Sequence, residues 1–334
     1  MVRQPRINSS VLQRIGATPL LELKRVPDGC GRILLKLESA NPTGSMKDRV
    51  ALAMIEAGER TGRLRPAGRV VEYTGGSTGV SLALVCAARG YPVSIVTSDA
   101  FSLEKRSHMA ALGAELTILP SVGGGMDAAL TRNMIAAARS IQAQTGAFWT
   151  DQLNNTDQLT AYHAMAEEIW DQTRGRLDAF VQSTGTAASI RGIGEGLRAR
   201  SSAVRIVAVE PEESAVLSGG RPGTHRIEGM GAGFIVPLWR KEIADEIVPI
   251  STEKAMQMAR GLARAEAVFA GTSTGANVAA AIDVARRLGP GATVVTVMCD
   301  CGVKYLSTPL YRTLPDTPDQ GGHEAKRAGE GGPC

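Results

Sequence analysis

Short β-branched runs alternate with helix-length periodic segments along almost the whole chain, and that alternation restricts its fold more than any other feature. Strands are predicted over 33–37, 70–73, 93–97, 116–119, 180–182, 206–210 and 293–298, and helices over 48–60, 78–89, 102–112, 126–144, 156–173, 188–199, 252–266 and 275–288. Parallel strands need long crossovers, and helical crossovers cover both faces of the sheet they join. The chain therefore reads as α/β with mostly parallel, twisted sheets and helices on both faces. At 334 residues it exceeds the roughly 250 to 300 at which a single core stops growing, so two domains are predicted. The polar stretch TDQLNNTDQ, 150–158, lies between two long helical patterns and is the best boundary. Open parallel sheets bind ligands beyond the carboxyl ends of their strands, which puts the expected site in a cleft between the domains.

Composition removes several classes of function. Net charge is only +4 and the arginines are interspersed with acids, so no nucleic-acid partner is indicated. No apolar run approaches the roughly 20 residues of a membrane span. The opening MVRQPRINSSVLQRIG lacks a hydrophobic signal core, and a cytoplasmic location is expected. The cysteines, Cys30, Cys86, Cys299, Cys301 and Cys334, are odd in number and scattered, which argues against a disulfide framework. Cys299 and Cys301 would share one side of a strand, but they lack a CxxC partner and the four histidines are dispersed; buried free thiols are expected rather than a metal site. Residues 315–334, rich in Gly, Pro and charge without periodicity, are expected to form a disordered tail.

The segment NPTGSMKDR, 41–49, holds a lysine where a loop enters an amphipathic helix whose apolar positions are Val50, Ala51, Met54, Ile55 and Ala57. First-turn amides and the positive end of the helix dipole disfavour an ammonium there. A neutral lysine is the form that condenses with a carbonyl, and desolvation lowers its pKa further. The chain has eight lysines against twenty-nine arginines, so lysine is not filler. The plainer reading of the same residues is a first-turn lysine capped by Ser45.

Three strand-to-helix turns carry the marks of anion binding: Thr74-Gly75-Gly76-Ser77-Thr78-Gly79, Ser183-Thr184-Gly185-Thr186-Ala187-Ala188-Ser189 and Gly271-Thr272-Ser273-Thr274-Gly275. Glycines and small residues let backbone amides approach a ligand, and the hydroxyls add donors at helix N-termini. Each alone fits a tight βα connection with a Ser/Thr cap. None is followed by GK[ST], and none gives GxGxxG after the first strand with an acid about 20 residues on. A small phosphorylated cofactor bearing an aldehyde fits better than a nucleotide. GIGEG, 192–196, falls inside a predicted helix and GMGAG, 229–233, follows no strand, so a nicotinamide dehydrogenase is disfavoured.

Taken together, these segments resemble the cysteine synthase family, the O-acetylserine sulfhydrylase and cystathionine β-synthase relatives among fold-type II pyridoxal-phosphate enzymes, from about Ile15 to Thr308. The resemblance implies a tryptophan synthase β-like fold, with a smaller N-terminal domain of 39–150 and a larger one built from 1–38 and 151–314. It implies that Lys47, in KLESANPTGSMKDR, is the Schiff-base lysine, and that TGGSTG, 74–79, holds the substrate carboxylate through Thr74, Gly75, Ser77 and Thr78. Ser77 stands where the family's asparagine meets the cofactor's ring oxygen, and a serine has shorter reach and no amide. DQLNN supplies Gln152 near the substrate carboxylate. GTAAS, with Gly185, Thr186, Ala187, Ala188 and Ser189, stands where the phosphate loop usually reads GTGGT; alanine can serve provided neither Ala187 nor Ala188 needs positive φ, a strain of roughly 1 to 2 kcal/mol. Ser273 falls where a hydroxyl meets the pyridine nitrogen. EGMGAGF, 228–234, resembles a loop flanking the site, and CDCGVKYLST, 299–308, the closing motif. In the opening IGATPLLEL, Ala17 stands where asparagine is common.

The implied activity is a pyridoxal 5'-phosphate-dependent β-replacement on O-acetyl-L-serine or O-phospho-L-serine with sulfide, giving L-cysteine through an aminoacrylate, with Lys47 as the base for the α-proton. The same resemblance admits a cystathionine β-synthase-like, diaminopropionate-forming or desulfhydrase-like reaction, and a non-catalytic relative that binds a partner's tail. Retention of Lys47 argues against the last. Partners are then small molecules, and homodimerisation is usual in the resembling family.

Overall fold

The computed structural model describes residues 8–125 and 127–312; the predicted tail at 315–334, with Cys334, lies outside the described residues. The strands are β1 (Leu20–Glu22), β2 (Arg32–Leu37), β3 (Val70–Tyr73), β4 (Val93–Ser98), β5 (Glu115–Leu119), β6 (Phe148–Trp149), β7 (Ala179–Ser183), β8 (Arg205–Pro211), β9 (Glu246–Ile250) and β10 (Thr293–Met298). The helices are α1 (Lys47–Arg60), α2 (Ser77–Arg89), α3 (Leu103–Ala111), α4 (Ala128–Thr145), α5 (Leu159–Thr173), α6 (Ala188–Arg200), α7 (Thr252–Ala265) and α8 (Thr272–Leu288). They build a six-stranded sheet of order β1-β2-β10-β7-β8-β9 and a four-stranded sheet of order β5-β4-β3-β6. All pairings are parallel except β1 with β2. The α/β class with two parallel-rich sheets is as predicted. No described helix is long and apolar enough to cross a membrane.

Every residue of β3, β4, β7 and β10 is buried, as strands covered on both faces must be, and their sequences accordingly do not alternate cleanly between apolar and polar; the polar residues they hold, Glu72 and Gln182 among them, are buried too. In the smaller sheet Val70, Ile95 and Val80 share a core; in the larger, Ile33, Val181, Val207 and Val294 pack with the alanine-rich face of α8. Strand β2 joins β10, so early residues complete the sheet built from the second half of the chain.

Three strands escape the sequence pattern. β1 and β6 have only three and two residues, too short for a period to show. β9 contains Pro249, which lacks a ladder donor; it is tolerated because β9 lies at the sheet's edge. Helix α4 begins at Ala128 rather than 126, because the Asp127 carboxylate caps it by accepting from the Leu130 amide at 2.7 Å. Helix α8 begins at Thr272, before the predicted 275, and so takes Ser273 into its first turn.

One buried charge network fixes the start of α1 against the larger sheet. Arg49 donates through Nε and Nη2 to Glu38 at 2.7 and 2.9 Å, and through Nη1 and Nη2 to Glu168 of α5 at 2.7 and 2.8 Å. Lys36 of β2 donates to Glu168 at 2.7 Å and to the Thr18 carbonyl at 2.6 Å. Burial opposes ionisation of Glu168, but Arg49 and Lys36 prevail and hold its pKa down to about 2.

Candidate active site

The 41–49 loop is closed from within by Asp48, whose carboxylate accepts from the Thr43 amide at 2.7 Å, the Thr43 hydroxyl at 2.5 Å and the Ser81 hydroxyl at 2.6 Å. It is also held from outside by the segment leaving β10. The Met46 amide donates to the Cys299 carbonyl and the Cys301 amide to the Gly44 carbonyl, both at 2.9 Å, around an antiparallel bridge between Ser45 and Asp300. Lys47 is thereby set at the first position of α1, with Ser45 Oγ accepting from its amide at 3.2 Å. Ser45 is not the N-cap as expected: Met46 holds that position without a side-chain cap bond, and the Ser45 hydroxyl meets the first helical amide from one residue further out. The Lys47 side chain lines a cleft shared with Thr74, Gln152, Thr186 and Ser273. Desolvation lowers the pKa of Lys47, opposed by Cys299 and Asp300 and reinforced by Lys105.

The first turn leaves β3 at Tyr73 and enters α2 at Ser77. Thr74 Oγ1 accepts from the Gly76 amide at 3.1 Å, and Gly76 adopts φ +128°, a conformation that favours glycine. Thr78 Oγ1 donates to Gln152 Oε1 at 2.9 Å, and Gln152 Nε2 donates to the Tyr73 carbonyl at 2.7 Å, so these two predicted residues are joined to each other and to the turn. The segment carrying Gln152 hangs on buried Glu72, which accepts from Thr150 Oγ1 at 2.6 Å, the Gln152 amide at 2.9 Å and Trp149 Nε1 at 3.2 Å. Burial nevertheless pushes the Glu72 carboxyl up to about 7. Ser77 lines the cleft, but its hydroxyl donates to Asp300 Oδ2 at 2.9 Å.

The second turn leaves β7 and enters α6. Among the described residues the amides of Gly185, Thr186 and Ala187 have no intramolecular acceptor, and Gly185 and Thr186 line the cleft. A Cβ on Gly185 would lie 2.4 Å from the Gly229 carbonyl oxygen, so only glycine fits between this turn and the 228–234 loop. Free amides at the N-terminus of a helix with no side-chain N-cap bond form a phosphate cradle, and on this observation the residues present fit the cofactor's phosphate. Ser189 lines the same wall, with its hydroxyl accepting from Gln182 at 3.2 Å. Ser273, in the first turn of α8, also lines the cleft.

The proviso on the alanines fails at one position. Ala187 adopts φ +66°, whereas Ala188 begins α6. Its Cβ strains the backbone by roughly 1 to 2 kcal/mol, against about 0.5 to 1 kcal/mol of extra chain entropy that a glycine would lose on folding. Ala187→Gly is expected to stabilise the fold by about 0.5 to 1 kcal/mol, seen as a higher urea midpoint at unchanged slope. Ala17 is left-handed too, at φ +48°, where an asparagine sits with less strain.

Cys299 is buried beside the cleft and Cys301 half-buried, both as free thiols, and neither joins a cluster of three or more ligating side chains among the described residues. Lys105 stands in none of the segments that mark the site in the sequence, whereas Tyr305 lies within the closing motif at 299–308. Lys105 of α3 donates to Glu228 at 2.7 Å and to Tyr305 Oη at 3.0 Å, and Tyr305 Oη donates to Asp300 Oδ2 at 2.9 Å. Their spacing along the chain, 200 residues between Lys105 and Tyr305, is too large for any local pattern to reveal.

A lysine at a helix start, a free-amide cradle and a carboxylate-sized turn thus converge on one cleft. The family model described as pyridoxal-phosphate dependent enzyme matches residues 11–300. The chain belongs to that family. It is 41% identical over 314 residues to a protein of Staphylococcus aureus (strain Mu50 / ATCC 700699) named cysteine synthase, covering 93% of this chain and 99% of that protein. Among solved structures it is similar to a cysteine synthase from Entamoeba histolytica, with 37% identity, a TM-score of 0.86 and coverage of 95% and 94% of the two chains. It is also similar to O-ureido-L-serine synthase, with 34% identity, a TM-score of 0.87 and coverage of 94% and 98%. The resemblance to the cysteine synthase family is thereby shown, and this family member is a pyridoxal-phosphate-dependent enzyme.

Proposed function

We propose that the protein catalyses β-replacement on an O-activated L-serine, O-acetyl-L-serine or O-phospho-L-serine, with sulfide to give L-cysteine. The observation that carries this reading is the placement of Lys47: a desolvated amine at the first position of α1, in the same cleft as the free-amide turn at 185–187 and the 74–78 turn. When bound, the cofactor supplies an electrophilic aldehyde and an electron sink for the substrate's α-carbon. Lys47 holds it covalently and moves the α-proton. The amides of Gly185, Thr186 and Ala187, with the hydroxyl of Ser189, hold its phosphate, and Ser77 and Ser273 face its ring. A hydroxyl such as Ser273 does not keep a ring nitrogen protonated as a carboxylate would, which favours elimination chemistry over transamination. Thr74, Gly75, Thr78 and Gln152 grip the substrate carboxylate, aiming the α-hydrogen at Lys47. In this reading a smaller unit of 39–150 faces a larger one of 1–38 and 151–314 across the cleft, and two copies associate.

The nucleophile is tested by a panel. The holoenzyme with O-acetylserine and sulfide is expected to form cysteine, measured by mass spectrometry, faster than it forms product with homocysteine, thiosulfate or an amine. Faster turnover of any of these would reassign the nucleophile while leaving β-replacement intact; the likeness to O-ureido-L-serine synthase is the reason to include non-sulfur nucleophiles.

A further inference from the structure

We propose that Asp300 is a positioning residue for Lys47, its carboxylate serving as the counter-charge of the lysine amine across the bonded pair of segments 44–46 and 299–301. The inference rests on Lys47 being the cofactor lysine. The backbone geometry is direct: Asp300 bridges Ser45, two residues before Lys47, and both side chains line one cleft.

Asp300 is only 4% exposed, and one of its oxygens, Oδ1, has no hydrogen-bond partner among the described residues. Its other oxygen accepts from Ser77 and Tyr305, each at 2.9 Å, which fixes the carboxylate in place. A carboxylate so enclosed needs a cation. Three lysines are close enough to interact with it or with its neighbours. Lys105 is already engaged by Glu228 at 2.7 Å and lies over the Tyr305 ring with Nζ 4.1 Å from its centre. Lys304 is buried without a hydrogen-bond partner, and burial lowers its pKa to about 8 against the opposing pull of Asp300, so that carboxylate serves Lys304 as well as Lys47. The amine of Lys47 has no hydrogen-bond partner among the described residues, and it faces Cys299 and Asp300, which raise its proton affinity, and Lys105, which lowers it. Burial pushes the Cys299 thiol up, which leaves the Asp300 carboxyl as the group placed to balance the lysine. Desolvation disfavours the ammonium that Lys47 becomes once it has taken the α-proton, and the Asp300 carboxylate beside it favours that form.

The test is the pH dependence of cofactor capture by the full-length chain stripped of cofactor. Pyridoxal phosphate is mixed in and the covalent complex followed by its visible absorbance. Capture requires the neutral amine, so its rate rises with pH through the Lys47 midpoint. Asp300→Asn is expected to move that midpoint down by about one pH unit, and Asp300→Glu to restore most of it. Lys105→Met, which removes a cation and leaves Glu228 unpaired, is expected to move it up. Damage to the fold alone does not produce shifts of opposite sign, and the Lys105 variant stands as a test even where Asp300→Asn fails to fold. An unchanged or raised midpoint in Asp300→Asn, or a lowered one in Lys105→Met, overturns the proposal while leaving Lys47 as the cofactor lysine. A wild-type chain that captures no cofactor overturns both.

Discussion

Lys47→Ala is expected to lower β-replacement turnover by at least about a thousandfold, because one change removes both the covalent anchor of the cofactor and the base for the α-proton. The loss should not come from unfolding. The Lys47 amine makes no hydrogen bond among the described residues, and its burial disfavours the charged form, so alanine removes a desolvated cation and breaks no hydrogen bond, while Ser77 and Tyr305 still hold the Asp300 carboxylate. The loop itself is held by Asp48 and by the pairing of 44–46 with 299–301, neither of which involves the lysine side chain. The variant is therefore expected to unfold at the same denaturant concentration as the wild type or a higher one, and to bind the cofactor only reversibly, through the amides around Thr186. Equal activity in the two proteins would remove Lys47 from the chemistry.

The largest effect on stability is expected at Arg49. Arg49→Met leaves the carboxylate of Glu38, which is fully buried, without its guanidinium, and Glu168 with Lys36 alone. Breaking a buried ion pair from one side costs about 3 to 5 kcal/mol, because the remaining charge stays buried and uncompensated. Lysine is not expected to rescue it. The network uses two bidentate pairs on different carboxylates, and an ammonium has neither the planar fork nor the five donors that such pairing needs. Since Arg49 lies two residues beyond Lys47 on α1, loosening this anchor also displaces Lys47, the lysine proposed to hold the cofactor, so the variant that still folds should show a lower kcat. A denaturant midpoint within error of the wild type would contradict the role assigned to the network.

The parallel sheets were legible because buried strands such as 70–73 and 293–298 are short runs rich in β-branched residues, separated by helices long enough to carry amphipathic patterns. β9 was not, because Pro249 reads locally as a break and only its edge position makes it tolerable. Candidate site residues stand out in the sequence wherever polar chemistry is packed into a turn: Lys47, Thr78 and Gly185, which the structure brings to one cleft or its walls, each stand in short segments whose residue types are unusual for a plain connection. Gln152 was placed by resemblance, and its pairing with Thr78 emerges only in three dimensions. The chain from Ser77 through Asp300 and Tyr305 to Lys105 and Glu228 joins four segments far apart in sequence, so no window of residues contains it. Backbone conformation was the other blind spot: an alanine at position 187 carries no mark of the φ of +66° that the turn imposes on it.

The account turns on which lysine holds the cofactor, and borohydride reduction of the holoenzyme followed by proteolysis and mass spectrometry reads that directly. The peptide bearing Lys47 is predicted to carry the added pyridoxyl phosphate mass, and to lose it in Lys47→Ala. The same mass on the peptide of Lys105 or Lys304 instead, or on no peptide, would contradict the account.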